Sequence, residues 1–227
     1  MQPQSQRGFF ITFEGLDGSG KTTQIKRLTA WLAARNIAPV VTRQPGGTET
    51  GDRIRALLLD SKSTGLSPKT ELAMMFADRA QAIEEIIAPA LRTGKIVVCD
   101  RFTDSTEAYQ GCGRELGSQI VLELHRLICN DLRPDLTILL LPDLAASLAR
   151  ARRRNTHQTS VTGKDESRFE QEQNSFFHRV YTGYKAIAAR EPDRVLVIEG
   201  DLTVEEVHAQ VTRAVSSMLR QMNLISS

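Results

Sequence analysis

Five short apolar runs, separated by stretches of helical periodicity, constrain this chain more than any other feature. Phe9 to Glu14, Val40 to Arg43, Ile96 to Asp100, Leu136 to Leu141 and Val195 to Ile198 are rich in β-branched, aromatic or Leu side chains. Runs of this kind mark strands buried on both faces. Between them lie helical patterns. Lys21 to Arg35 places Ile25, Leu28 and Leu32 on one face, and Thr50 to Leu59 forms a second helix. Ser67-Pro68 opens a long helix to about Arg92, with Pro89 able to kink or shorten its end. Leu144 to Arg154, Glu166 to Arg190 and a closing helix with Val204, Val207, Val211, Val215 and Met218 on one face complete the set. Asn155 to Asp165 is polar and aperiodic, and is expected as a surface loop. Strands alternating with helices predict an α/β fold: a five-stranded parallel sheet flanked by helices. A length of 227 residues suits one domain spanning 1–227.

Composition narrows the partners. Hydrophobic residues are 41% and charged residues 25%, enough apolar surface for a core and too much for general disorder. A net charge of +2 gives no sign of a nucleic-acid or membrane-surface partner. No run approaches the ~18 apolar residues of a membrane span. Met1 to Gly8 lacks the apolar stretch of a secretory signal. Cys99, Cys112 and Cys129 are few and widely spaced, which favours a cytoplasmic protein without a disulfide framework or zinc site.

The turn after the first strand carries chemistry. Gly15-Leu16-Asp17-Gly18-Ser19-Gly20-Lys21-Thr22 fits the pattern G-x-x-x-x-G-K-[ST], with a strand before it and a helix after it. The glycines let the backbone approach a phosphate, and the helix N-terminus attracts anions. Lys21 is expected on the β- and γ-phosphates of ATP, and the Thr22 hydroxyl on Mg²⁺. Thr23 extends the same turn. This loop occurs in switch GTPases, motors and small-molecule kinases alike. The chain has no Asn-Lys pair of the kind guanine-specific GTPases carry, and no room for a motor's extra domains. A kinase of small phosphorylated metabolites remains, and it needs an acceptor pocket with its own arginines.

Those arginines are present. Asp100-Arg101 ends the third strand, where open α/β sheets face their ligands. Asp100 stands like a Walker-B acid near the metal, and Arg101 could hold a phosphate bidentately. A strand-terminal ion pair is the alternative. Thr42-Arg43 ends the second strand in the same way. Arg79 follows Met75 and Phe76 on the long helix, which suits stacking on a planar base with a hydrogen-bond fork. Ser105, Thr106, Tyr109 and Gln110 add polar groups and a ring.

Together these segments resemble the bacterial thymidylate kinase family of P-loop nucleoside-monophosphate kinases. The likeness rests on Phe13 to Thr23, Thr42 to Thr48, Asp78 to Gln81, Asp100 to Phe102 and Ser105 to Gly111, in order along the chain. The resemblance implies transfer of the γ-phosphoryl of ATP to dTMP with Mg²⁺, in a cytoplasmic homodimer. It places Asp17 near the deoxyribose 3′-hydroxyl or the phosphates, and Arg79 on thymine. It places Arg101 on the acceptor phosphate, Thr106 near the base edge and Tyr109 under the sugar 2′ position. The chain departs from the family at Gln44, commonly Glu, and at Met75, usually an aromatic that stacks on thymine. Either Met75 or Phe76 is left to cover the base. Ser167-Arg168-Phe169-Glu170 differs from the usual Asp-Arg-Phe-Glu of the lid.

A lid is expected over about 150–170, bracketed by Arg150, Arg152, Arg153, Arg154, Lys164 and Arg168. A solvated basic helix end is the other reading. The P-loop holds no arginine, so a catalytic one must come from elsewhere. Arg150 and Arg154 share a helix face and are the candidates, whereas Arg152 points away. A competing reading of the whole chain is a nucleotide-binding regulatory module with little turnover.

Overall fold

A computed structural model describes residues 7–63, 65–162 and 165–221. Lys164, one of the basic residues bracketing the expected lid, lies outside them. Five parallel strands form one sheet: β1 (Phe10–Glu14), β2 (Val40–Arg43), β3 (Val97–Asp100), β4 (Leu136–Leu141) and β5 (Val195–Glu199). Their order is β2-β3-β1-β4-β5. The helices are α1 (Lys21–Ala33), α2 (Glu49–Leu59), α3 (Pro68–Ala82), α4 (Ala88–Arg92), α5 (Thr103–Thr106), α6 (Ser118–Cys129), α7 (Leu144–Thr162), α8 (Asn174–Arg190) and α9 (Val204–Gln221).

The two sheet faces explain the continuous apolar runs of β1, β3 and β4, whereas β2, at the sheet edge, is not buried on both faces as its sequence implies and leaves Val41 exposed. Ile11 and Phe13 of β1, with Leu136, Ile138 and Leu140 of β4, pack against Ile25, Leu28 and Leu32 of α1 and Val211, Val215 and Leu219 of α9. The alternate residues point the other way. Phe10 meets Ile87, Leu91 and Phe102, and Leu139 and Leu141 meet Phe177, Val180 and Tyr184 of α8. Each such fully buried Leu or Phe contributes roughly 1.5–3 kcal/mol relative to exposure. On α9 the buried seam runs through Val211, Val215 and Leu219, while Val204 is exposed and Met218 lies at the margin.

Three expectations need correction. The long helix after Ser67 is not uniformly α-helical: α3 passes through a π turn at Ile83–Ile87 before α4. Pro89 in the first turn of α4 has no N–H to give the preceding turn, and the wider winding absorbs this. The expected surface loop at Asn155 to Asp165 is helical as far as Thr162, within α7. No Gly or Pro follows Pro142 until Gly163, so nothing stops propagation. Thr156 Oγ1 and Ser160 Oγ also donate to the Arg152 and His157 carbonyls. Finally, the expected helix from Glu166 begins only at Asn174. A 3₁₀ turn at Phe169–Gln171 and extended backbone at Glu172 and Gln173 precede it. This break lets Phe169 face the site while Phe176 and Phe177 enter the α8 core. No helix or strand is expected over 111–135, the stretch that holds α6.

β1 lies between β3 and β4, so the chain reverses direction across the sheet at β1. Phe13 is in register with Asp100, which brings the turns after β1 and β3 side by side. The ligand crevice of an open parallel sheet forms at such a point.

Candidate active site

Gly20 caps α1 at φ +101, a left-handed conformation that leaves the first amides of the helix open to an anion. Gly18, Gly20, Lys21, Thr22 and Thr23 line a broad cavity above the loop, joined by Arg43, Asp100, Arg150 and Arg154. Lys21 is folded over its own loop, donating to the carbonyls of Gly15 and Leu16 at 2.9 Å each. Burial, with the nearby Arg101 charge, pushes its ammonium down to about 8 despite Asp100, Asp17 and Glu14. Leu16 turns away into the hydrophobic core, and the Gly15 and Ser19 side of the loop is not part of the cavity wall.

A second, narrower cavity adjoins the first. Met75, Arg79, Phe102, Ser105, Thr106, Tyr109 and Gln110 form its walls. Asp17, Gln44, Arg55, Leu59, Arg101 and Phe169 line both cavities and mark their junction. Arg101 stands at that junction with left-handed backbone, φ +71, which is costly for a residue with a side chain. Its guanidinium contacts Asp17 Oδ1 at 3.0 Å, donates to Ser105 Oγ at 2.9 Å and lies 5.1 Å from the Tyr109 ring centre. Burial alone would raise the Asp17 carboxyl. Arg101, Lys21 and Arg154 reverse this and hold it well below the usual carboxylate range.

Glu14, the last residue of β1, underpins the Arg101 turn. It is fully buried, accepts from the Phe102 amide at 2.7 Å and receives a hydrogen bond from Ser105. Burial first, then the charge of Asp104, lifts its carboxyl to about 7, against Ser105, Arg101 and the Phe102 amide.

At the far end, Arg79 is 1% exposed and lies between the rings of Phe76 and Phe102, 5.0 and 5.2 Å from their centres. It donates to Gln44 Oε1 at 2.8 Å, to Thr106 Oγ1 at 2.8 Å and to the Phe102 carbonyl at 3.1 Å. One guanidinium nitrogen and the Gln44 Nε2 are buried without a protein partner. Buried donors left in this state are what a polar ligand would satisfy. Of the two side chains that could cover a base, Met75 lines the cavity. Phe76 is behind Arg79, packed toward Leu72, Val121 and Cys129. Asp78 is also turned away from the cavity. It accepts from the Gly46 amide at 2.7 Å, and burial raises it to about 6.

α7 lies across the phosphate loop. Arg150 Nε donates to the Gly18 carbonyl at 2.8 Å, and Arg154 is 3.7 Å from Asp17 Oδ1 and 3.9 Å from Glu170. Arg152 is exposed and does not line either cavity. Asp100 Oδ1 is buried without a partner beside the cavity that Thr22 lines. Among the described residues no cluster of three or more His, Cys, Asp or Glu side chains could hold a metal.

Sequence reasoning missed Glu14, Arg55, Leu59 and Phe169 as parts of the site. Arg55 donates to the Pro45 carbonyl at 3.1 Å and pairs with Glu166 at 2.8 Å. Phe169 stands edge-on to Tyr109, with 5.7 Å between ring centres.

Comparison with known proteins matches this arrangement. The family model described as thymidylate kinase matches residues 13–211. The thymidylate kinase of Geobacter sulfurreducens is 49% identical over 199 residues, covering 87% of this chain and 92% of that protein. That of Desulfovibrio desulfuricans is 45% identical over 212 residues, covering 93% and 97%. The crystal structure of thymidylate kinase from Ehrlichia chaffeensis superposes with a TM-score of 0.71 at 34% identity, covering 92% of this chain and 99% of that one. With sequence, fold and cavity arrangement in agreement, the chain belongs to the thymidylate kinase family.

Proposed function

We infer that the two joined cavities hold ATP and dTMP, with their phosphates meeting at Asp17 and Arg101. The enzyme is a nucleoside-monophosphate kinase that phosphorylates dTMP to dTDP. The observation that carries the site assignment is the sharing of Arg101 and Asp17 between a phosphate loop and a narrower pocket with an arginine at its end.

Phosphoryl transfer needs positioning and charge neutralisation more than covalent chemistry. The amides from Gly18 to Thr23 cradle the donor phosphates. Lys21 leaves the carbonyls of Gly15 and Leu16 to reach the β- and γ-phosphates. Arg150 and Arg154 come from the other side, already within reach of the loop. In the acceptor cavity Arg79 and Thr106 meet the base edge, Met75 covers its face and Tyr109 packs under C2′. Ser105 and Gln110 complete the polar wall, and Arg101 with Arg43 holds the acceptor phosphate. Asp17 accepts from the 3′-hydroxyl or orders the phosphate side. Phe169 closes the junction against water.

The donor set suits Mg²⁺, a hard ion that prefers oxygen and keeps several waters. The Thr22 hydroxyl and the partnerless Asp100 Oδ1 would hold it. Bound there, it would supply positive charge to neutralise that of the phosphates. The assembly is read as a homodimer working in the cytoplasm. No described helix is long and apolar enough to cross a membrane. The test is ATP-dependent ADP release across dTMP, dUMP, dCMP, dGMP and thymidine. Turnover highest with dTMP and absent with thymidine is expected. Equal turnover without any acceptor would overturn the reading.

A further inference from the structure

Glu71 occupies the first turn of α3, where an acidic side chain ordinarily faces water and complements the helix N-terminus. Here it is 1% exposed and packs behind the acceptor cavity. Its Oε1 accepts from Gln110 Nε2 at 2.7 Å and Arg114 Nε at 3.2 Å. Its Oε2 accepts from Arg114 at 3.1 Å and Arg168 at 2.8 Å. Two guanidinium groups therefore face one buried carboxylate, and both of its oxygens act as acceptors.

This fixes the polarity of Gln110, which is itself 1% exposed and lines the cavity beside Arg79 and Thr106. A carboxylate has no hydrogen to give. Gln110 must turn its NH₂ toward Glu71, because the opposite rotamer would set two oxygens against each other. The oxygen of the amide is then the end available to a ligand. We propose that Glu71 is a specificity-determining positioning residue: it holds the Gln110 carboxamide with its acceptor toward the base, so that the cavity selects a ring N–H donor. Thymine has that donor at N3, whereas cytosine presents an acceptor there. The proposal rests on the reading of this cavity as the dTMP site. Arg168 couples base reading to closure, since the same carboxylate anchors the segment that carries Phe169, and the Arg168 guanidinium covers the Phe169 ring at 4.4 Å.

The experiment compares kcat/KM for dTMP and dCMP in wild type, Glu71→Gln and Glu71→Asp, with near-UV circular dichroism to verify folding. Glu71→Gln can donate, so it releases the Gln110 amide to turn. The dTMP over dCMP ratio should narrow by roughly tenfold or more, as when a polar reader is mispaired. Glu71→Asp keeps an acceptor and should keep the ratio, even with a higher dTMP KM. N3-methyl-dTMP, assayed with wild type, should lose roughly 10²-fold in kcat/KM, because the donor is gone. A folded Glu71→Gln enzyme with the wild-type ratio would overturn the proposal, as would N3-methyl-dTMP turned over like dTMP. Wild type that releases no ADP with dTMP would instead overturn the functional reading, and the proposal with it.

Discussion

The two cavities meet at Arg101 yet are built by different means. The floor of the donor cavity comes from one short stretch of the chain, Asp17 to Thr23, shaped by glycines and the start of α1, with arginines and carboxylates of other elements around it. The acceptor cavity is built from side chains contributed by α2, α3, α5, the π turn at Glu107–Gly113 and the 3₁₀ segment at Phe169. A backbone cradle binds what every nucleoside triphosphate shares. A side-chain pocket can tell one base or sugar from another. Substitutions should therefore separate the halves: turnover is lost in the first, and selectivity in the second.

The largest effect should come from the charges facing the donor phosphates. An arginine that reaches the transferring group can be worth on the order of 10³-fold in rate. Arg150→Ala or Arg154→Ala should lower kcat on that scale, while Arg152→Ala leaves it near wild type. Lys21→Ala should lower kcat by roughly 10²-fold or more with the dTMP over dCMP preference intact. Steady-state kinetics on the four variants decides this. Equal losses at all three arginines would make α7 a diffuse basic surface, and a changed base preference in Lys21→Ala would erase the division between the halves.

The same division explains what could be read beforehand. Gly15 to Thr22 is contiguous, so spacing alone discloses it, and five apolar runs disclose the sheet. Asp100 and Arg101 are legible because a strand end has a known relation to the crevice. Glu71, Arg55 and Phe169 are not. Glu71 looks like any acidic residue in a helix's first turn, and its burial depends on Arg114 and Arg168, 43 and 97 residues away. Phe169 falls in a stretch whose composition suits a helix, and the break before α8 arises from tertiary contacts. Met75 and Phe76 are adjacent in sequence, so only the rotation of α3 separates cavity from core.

Glu14 lies on the border, since it ends the strand that starts the phosphate loop yet supports Ser105 and the Phe102 amide. Its carboxyl keeps a proton to about pH 7 in the folded chain, against 4.5 ordinarily. Between those values the folded state binds more protons than the unfolded one, so stability falls as pH rises through the window. Glu14→Gln does not titrate, so its stability relative to wild type should improve from pH 4.5 to pH 8. Urea denaturation at both pH values measures this. A difference independent of pH would show that Glu14 titrates normally.

The smallest effect is expected at the sugar. If Tyr109 packs beneath the 2′ position as proposed, Tyr109→Ala should narrow the preference for dTMP over ribothymidine monophosphate by roughly tenfold in kcat/KM. An unchanged ratio in a folded variant would make Tyr109 a support for Arg101 and Phe169 alone.

The phosphate-loop pattern leaves its inner positions open to any residue, but this molecule does not. At Gly18 the backbone has φ +77, and a side chain would begin 2.1 Å from the Ser147 carbonyl oxygen and 2.9 Å from the Ala151 amide. Even one methyl group would act as a wedge, prising α7 from the loop and withdrawing Arg150 and Arg154 together. The freedom of a residue in the first nucleotide-binding turn is thus set by a helix encoded about 130 positions later. Motif and α7 can only drift in sequence as a pair.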